Sequence, residues 1–512
     1  MRLKFIVFLK LLFFIPSTNN KFTLSADVNH IDNGALLCYN FIDVLYNKSI
    51  CMKYCLGIQK GIIFMKLSLK FPENLYSDVR VEEAYSLSYV IENDDVSNDS
   101  DRSESGAMIR VFDGNLWYTT STNDLDAIQK ELDSLAKLAT PNPDIYNHPE
   151  VRNLEVNVDS VLLFSGDNDV RKVDHDTVKA LAEEYVKDCV DRSLSEINYW
   201  EIFVGLTHNT YSFCSSKGAA IERDIQEAKL FAADGITVNG VTTYAIKAYI
   251  KQSFDELRGH KDEILENRGK YLDYARNAVD VEPGDYTCVL SPVTTAMFTH
   301  ESFGHKSESD FMLNDQTLRD EWIMGKKVGN DIVSICDDGT LVHHGFVPYD
   351  DEGTKAKATW LIKNGILTGR LHNAKSAATL GEELTGNARA QDYSNFPVVR
   401  MTNTYMEPGT TKVEDMIAGI EDGIYVWDVS SGGGQAMFTM RPTVCYRIRN
   451  GRICEPVRVN VINGNVFRTL FDIDAVGDDF EIFDTYTCGK NGQSAIVSAG
   501  GPTIRVKQLT VN

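Results

Sequence analysis

The sequence predicts an α+β protein: an N-terminal α/β domain, then a mostly antiparallel β domain, with a short histidine-bearing helix near the junction. Three observations predict it. Up to about residue 280, runs that alternate apolar and polar residues are interleaved with amphipathic helical stretches. From residue 284 onward, short strands and glycine turns dominate. Between the two, Pro283-Gly284 leads into a strand-like GDYTCVL, a Ser291-Pro292 helix start and the segment THESFGHKSESD. The division expected is therefore an atypical extension at 1–65, an α/β domain at 66–283 and a β-rich domain at 284–512.

Taken in order, MRLKFIVFLKLLFFIPS (1–17) has basic residues before an apolar run, the outline of a signal peptide, although Lys10 interrupts it. It is too short for a spanning helix, so no membrane span is expected. Residues 77–93 alternate as a half-buried strand does, and 106–122 form a hairpin around Asp113-Gly114-Asn115. The acidic stretch between them, Asn93 to Ser105, is expected to be a solvated loop. Helices are expected at Asp124–Ala139, capped by Asn123, at Asp174–Ser193 and within Ser253–Val279. INYWEIFVGLTH, NTYSFCSSKG and KLFAADGITV suggest a three-strand meander. In the second half, Lys363-Asn364-Gly365 and Arg449-Asn450-Gly451 are hairpin signals.

Composition narrows the function classes. A net charge of -22 and a pI near 4.9 repel polyanions, so no direct nucleic-acid binding is expected. Of ten cysteines only Cys51 and Cys55 lie close together, which is no disulfide framework and fits a reducing compartment. The cytoplasm is the expected location, with a secreted or organellar one if the first residues are a signal. The absence of a C-x-x-C pair argues against a thiol redox protein.

His300, Glu301 and His305 supply two imidazoles and a carboxylate, the raw material of a hydrolytic zinc site. In H-E-x-x-H, helical spacing puts both imidazoles on one face. Here the spacing is one residue longer, and on a regular helix five residues advance by about 500°, leaving the two rings about 140° apart. Gly304, a poor helix former just before His305, is where a bulge or unwound turn is expected to bring them together.

A catalytic zinc needs a third protein ligand. Cys336, His343, His344, Cys445, Cys454 and Cys488 are the candidates, and spacing does not choose among them. Cys488 has the best local setting: Gly489 and Asn491-Gly492 make a tight turn, and Lys490 would favour the thiolate. Gly432, Gly433 and Gly434, with Gln435, suit close approach of a substrate backbone. The acidic groups Asp337-Asp338 and Asp350-Asp351-Glu352 are either solvated turn tips or a second cation site.

HESFGHKSESD, CDDGTLV, YDDEGT, LTGNARAQDYSNFPVVRMTNTYMEPG, GGGQAMF, and TCGKNGQS followed by GGPTIRVKQLTV occur in one order from His300 to the C-terminus. In that order the chain resembles the TldD/PmbA metallopeptidases, also called modulators of DNA gyrase. The resemblance implies zinc, one ion per active chain, on His300, His305 and Cys488. It puts Glu301 at the position of the catalytic glutamate, the general base for a metal-activated water, and makes Glu308 and Asp310 candidates for orienting the imidazoles. It also implies small or unfolded polypeptides as substrates and a homodimer, or a heterodimer with a related subunit. Lys306 and Ser309 depart from the family pattern, which more often has glycine there. The rival reading is a non-catalytic scaffold or partner subunit that binds peptide without turnover; Glu301 argues against it, because a purely structural site needs no base.

Overall fold

A computed structural model gives the fold and describes residues 69–434 and 436–512. The extension, its signal-like start and Gln435 therefore lie outside the described residues. Among the described residues, no helix is long and apolar enough to cross a membrane.

The first half is built on a seven-stranded sheet of β1 (Tyr76–Glu92), β2 (Asp95–Phe112), β3 (Trp117–Thr122), β4 (Val158–Val161), β5 (Ile197–Ser215), β6 (Ala220–Val238) and β7 (Val241–Lys251). The order is β3-β2-β1-β5-β6-β4, with β7 also on β6. Two expectations are corrected here. The acidic stretch is not a loop: β2 begins at Asp95 and pairs with β1 back to Glu92, turning on Asn93 (φ 47°) and Asp94 (φ 73°). Both turn residues adopt the left-handed conformation of a two-residue hairpin. Its first residues are exposed or half-exposed on both faces, so no apolar alternation marked them as strand. Likewise INYWEIFVGLTH and NTYSFCSSKG are one 19-residue strand, β5, because polar residues in mid-strand still pair with β1 and β6. Helices Ile128–Ala136, His175–Cys189 and Lys261–Asn277 occupy the predicted stretches, with Asp124 rather than Asn123 capping the turn that enters the first.

The second half holds two further sheets. One runs Ile366–Leu367, Ala358–Lys363, Ile335–Asp338, Asn403–Met406, Gln493–Gly501, Glu481–Lys490. In the other, strands Asp422–Gly434, Gly284–Leu290, Ile504–Val511, Ile462–Asn465 and Met437–Arg449 pair in succession, and the last returns to the first, closing a ring. Most of these pairings are antiparallel, as the turn signals predicted; Asn364-Gly365 and Asn450-Gly451 have positive φ at both positions, the hairpin geometry that Asn-Gly favours.

The helix Pro292–Thr299 leaves strand Gly284–Leu290 and runs into the core between these sheets. Ser291 caps it by accepting from the Thr294 N–H, and Pro292 opens its first turn. Phe298 and Phe303 are fully buried, and Phe298 packs edge-on against both Phe303 and Phe438. Burying such rings stabilises by about 2–3 kcal/mol each, which fixes the helix end that carries His300.

The acidic groups are not solvated tips, and among the described residues no three of them gather as metal ligands. All are buried, and each accepts at least one hydrogen bond. Asp337 accepts from Asn387, from the Thr402 N–H and hydroxyl, and from Thr404. Asp350 accepts three backbone N–H groups of its own turn and of Ala388. Asp351 takes Arg223 at 2.8 Å and Glu352 takes Arg110 at 3.3 Å, so this turn locks onto the first sheet.

Candidate metal centre

The chain does not unwind at Gly304; it widens. His300–Gly304 forms a π-turn, closed by the His305 N–H donating to the His300 carbonyl. This wider turn absorbs the extra residue of H-E-x-x-x-H. Gly304 has ordinary helical φ (-56°), and its small size matters for a different reason: a Cβ there would lie 1.9 Å from Sδ of the fully buried Met401.

The result brings His300, His305 and Cys488 together, with one ligand-capable atom from each lying within 4.8 Å of the others. Nε2 of His305 is 3.2 Å from Sγ of Cys488. Burial pushes the Cys488 thiol up, but His300 and His305 outweigh it and bring it down to about 5. His305 responds in the opposite sense: burial lowers it, while Cys488 and Glu308 raise it to about 10. Two imidazoles and an acidified thiol are a donor set that fits a borderline-soft divalent ion.

Of the other third-ligand candidates, none joins this cluster. His343 pairs with Asp484 at 3.1 Å, and His344 pairs with Glu227. Cys336 and Cys445 are buried in strands elsewhere, and Cys454 is exposed.

Glu301, half-buried inside the π-turn, makes no hydrogen bond among the described residues. Burial raises its proton affinity, partly offset by His300 and His305. Gly432 sits beside it: a Cβ there would come within 3.0 Å of Glu301 Cγ and 3.1 Å of Met297 Cγ. Gly433 faces open space, and Gly434 packs on Phe438. These glycines end strand Asp422–Gly434, so they run beside Glu301 as extended backbone, not as a free turn.

Glu308 accepts or shares the His305 Nδ1 proton at 3.0 Å. Lys490 was expected to favour the thiolate, but its ammonium is engaged elsewhere: it donates to Asp310 at 2.6 Å and to the Val399 carbonyl at 2.8 Å, and lies 3.3 Å from Glu308. The imidazoles, not Lys490, acidify Cys488. Arg400 donates to the Cys488 and Gln493 carbonyls, fixing the hairpin that presents the thiol. Arg400 had no predicted role, because nothing in its local sequence shows which carbonyl it meets. The two departures from the family pattern are both accommodated: Lys306 pairs with Glu321 at 2.5 Å, and the Ser309 hydroxyl donates to the Leu371 carbonyl at 2.5 Å.

The PmbA/TldA metallopeptidase C-terminal domain matches residues 283–512, and domain 1 of the same family matches 77–140. The chain belongs to the TldD/PmbA family. A metalloprotease of Synechocystis sp. is 29% identical over 441 residues, covering 85% of this chain and 94% of that relative. A zinc metalloprotease TldD homolog of Saccharolobus solfataricus is 37% identical over 256 residues, covering 49% of this chain and 56% of the relative. Two solved structures share the fold: a modulator-of-DNA-gyrase protein from Thermotoga maritima (TM-score 0.69, 18% identity, 86% of this chain and 96% of that one) and TldE from Thermococcus kodakarensis (0.65, 17%, 85% and 96%). Membership of this metallopeptidase family implies a metal, and the His300–His305–Cys488 cluster is where the TldD/PmbA chain described here has donors to hold one.

Proposed function

We propose that this chain is a zinc-dependent peptidase in which His300, His305 and Cys488 hold the ion and Glu301 is the general base. The observation that carries it is the π-turn: it gathers two imidazoles at the thiol and leaves the intervening carboxylate without a hydrogen bond among the described residues. Zinc suits the nitrogen–sulfur donor set of His300, His305 and Cys488, and when held there it would supply Lewis acidity and acidify the attacking water. Glu301 then takes a proton from the attacking water on a carboxylate oxygen and delivers it to the departing amine. Glu308 fixes the tautomer of His305, and Lys490, itself held by Asp310, fixes Glu308.

Substrates are small or unfolded polypeptides, laid in extended form along Gly432–Gly434, where the lack of side chains lets a backbone approach Glu301. The chain works as a dimer, with itself or with a related subunit, and the seven free cysteines among the described residues suit the cytoplasm. The test is Glu301→Gln: it keeps its metal and cleaves unfolded peptides roughly 10²- to 10⁴-fold more slowly. Equal cleavage by the two proteins would remove Glu301 as the base, and cleavage by neither would favour a scaffold.

A further inference from the structure

The two imidazoles of the cluster are held by different means. His305 has a polar anchor, because Glu308 meets its Nδ1 at 3.0 Å and Lys490 holds Glu308. Among the described residues His300 has none: one of its nitrogens interacts with Cys488, while its Nδ1 is buried with no hydrogen-bond partner. Metal-binding imidazoles ordinarily give their second N–H to a carboxylate or carbonyl, which sets the ring's orientation.

What His300 has instead is an aromatic face. The Tyr486 ring lies nearly parallel to it, 18° between planes and 6.0 Å between centroids, and His305 meets it edge-on at 5.1 Å and 78°. Tyr486 is two residues before Cys488, so both side chains project from the same face of strand Glu481–Lys490. A one-residue slip in register between Phe483 and Tyr486, with Asp484 accepting from Ser498 inside it, sets that phase. The Tyr486 hydroxyl points toward the Val293 carbonyl, at 3.4 Å, in the first turn of the helix that ends at His300. One strand thus supplies a ligand and a flat wall for the neighbouring ligand.

We infer that Tyr486 is a positioning residue for the metal centre, its ring fixing the His300 imidazole in place of the missing hydrogen-bond acceptor. The inference rests on the zinc reading above. Its test is the zinc affinity of the metal-free protein, measured by competition with a chromophoric chelator, for wild type and Tyr486→Phe, Tyr486→Leu and Tyr486→Met, alongside the unfolding of each metal-free form. Tyr486→Phe keeps the face and should bind within about twofold of wild type, whereas Leu and Met should bind roughly three- to tenfold more weakly, the size of a lost ring contact. Met fills nearly the same volume, so it carries the test if the Leu variant does not fold. Wild-type affinity in the Leu or Met variant would overturn the inference, as would a Phe variant as weak as Leu, which would assign the effect to the hydroxyl. A wild type that binds no zinc would overturn the metal reading itself, and this inference with it.

Discussion

The main-chain N–H of His305 donates to the carbonyl of His300, five residues back, and this single wide turn brings the two imidazoles of H-E-x-x-x-H together. On an α-helix the same two residues would point about 140° apart. A turn of this kind is less stable than the helix it interrupts, so its surroundings must favour it; Met401, filling the space a Cβ at 304 would need, is one such feature.

Gly304→Ala should therefore destabilise the protein by about 1–3 kcal/mol in denaturant unfolding and weaken metal binding, because Met401 is fully buried and has little room to withdraw. Combining it with Met401→Ala should cost less than the sum of the two single changes. Strict additivity would show that the contact does not shape the turn.

Gly432→Ala places a methyl 3.0 Å from Glu301 Cγ and should displace that carboxylate. Turnover is expected to fall roughly ten- to a hundredfold with bound metal unchanged. Gly433→Ala, facing open space, is the matched control and should stay near wild type. Equal losses at both positions would point to the strand's backbone instead of to Glu301.

Glu308→Gln removes the charge that holds His305 Nδ1 and leaves Lys490 without one of its two carboxylates. Metal affinity should drop about 10- to 100-fold, read by chelator competition at constant pH. An unchanged affinity would mean the backbone alone orients His305.

Elsewhere, the buried carboxyl of Glu227 faces His344 and Lys229. Burial would raise it, but its contacts with His344 and Lys229 outweigh burial and hold it at about 2, below its ordinary 4.5. A depressed carboxylate contributes stability above its unfolded value, and that contribution is lost as pH falls through the folded one. Unfolding free energy should decline between about pH 4.5 and 2 by a few kcal/mol more in wild type than in Glu227→Gln, measured by urea titration at each pH. Parallel pH profiles for the two proteins would remove Glu227 from the acid transition.

Much of this was legible in the sequence, for physical reasons. Ser291-Pro292 is a local helix-start signal, Asn-Gly pairs encode their own backbone geometry, and the H-E-x-x-x-H spacing by itself demands a departure from the α-helix. What stayed hidden depends on distant partners. The polar start of β2 shows no alternation, because its order comes from pairing with β1. Lys490 sits beside Cys488 in sequence yet turns to Asp310 and Glu308, 180 and 182 residues earlier. Asp350, Asp351 and Glu352 look like an exposed acidic turn until the arginines of the first sheet are placed around them. Spacing along the chain carries none of these contacts.

Whether three residues from two distant segments hold one ion is tested most directly by the metal content of the purified protein, by mass spectrometry, in wild type and in Cys488→Ala. About one zinc per chain in wild type, lost or much reduced in the variant, is the predicted result. Little metal in wild type under zinc-replete conditions, or full occupancy without Cys488, would contradict it.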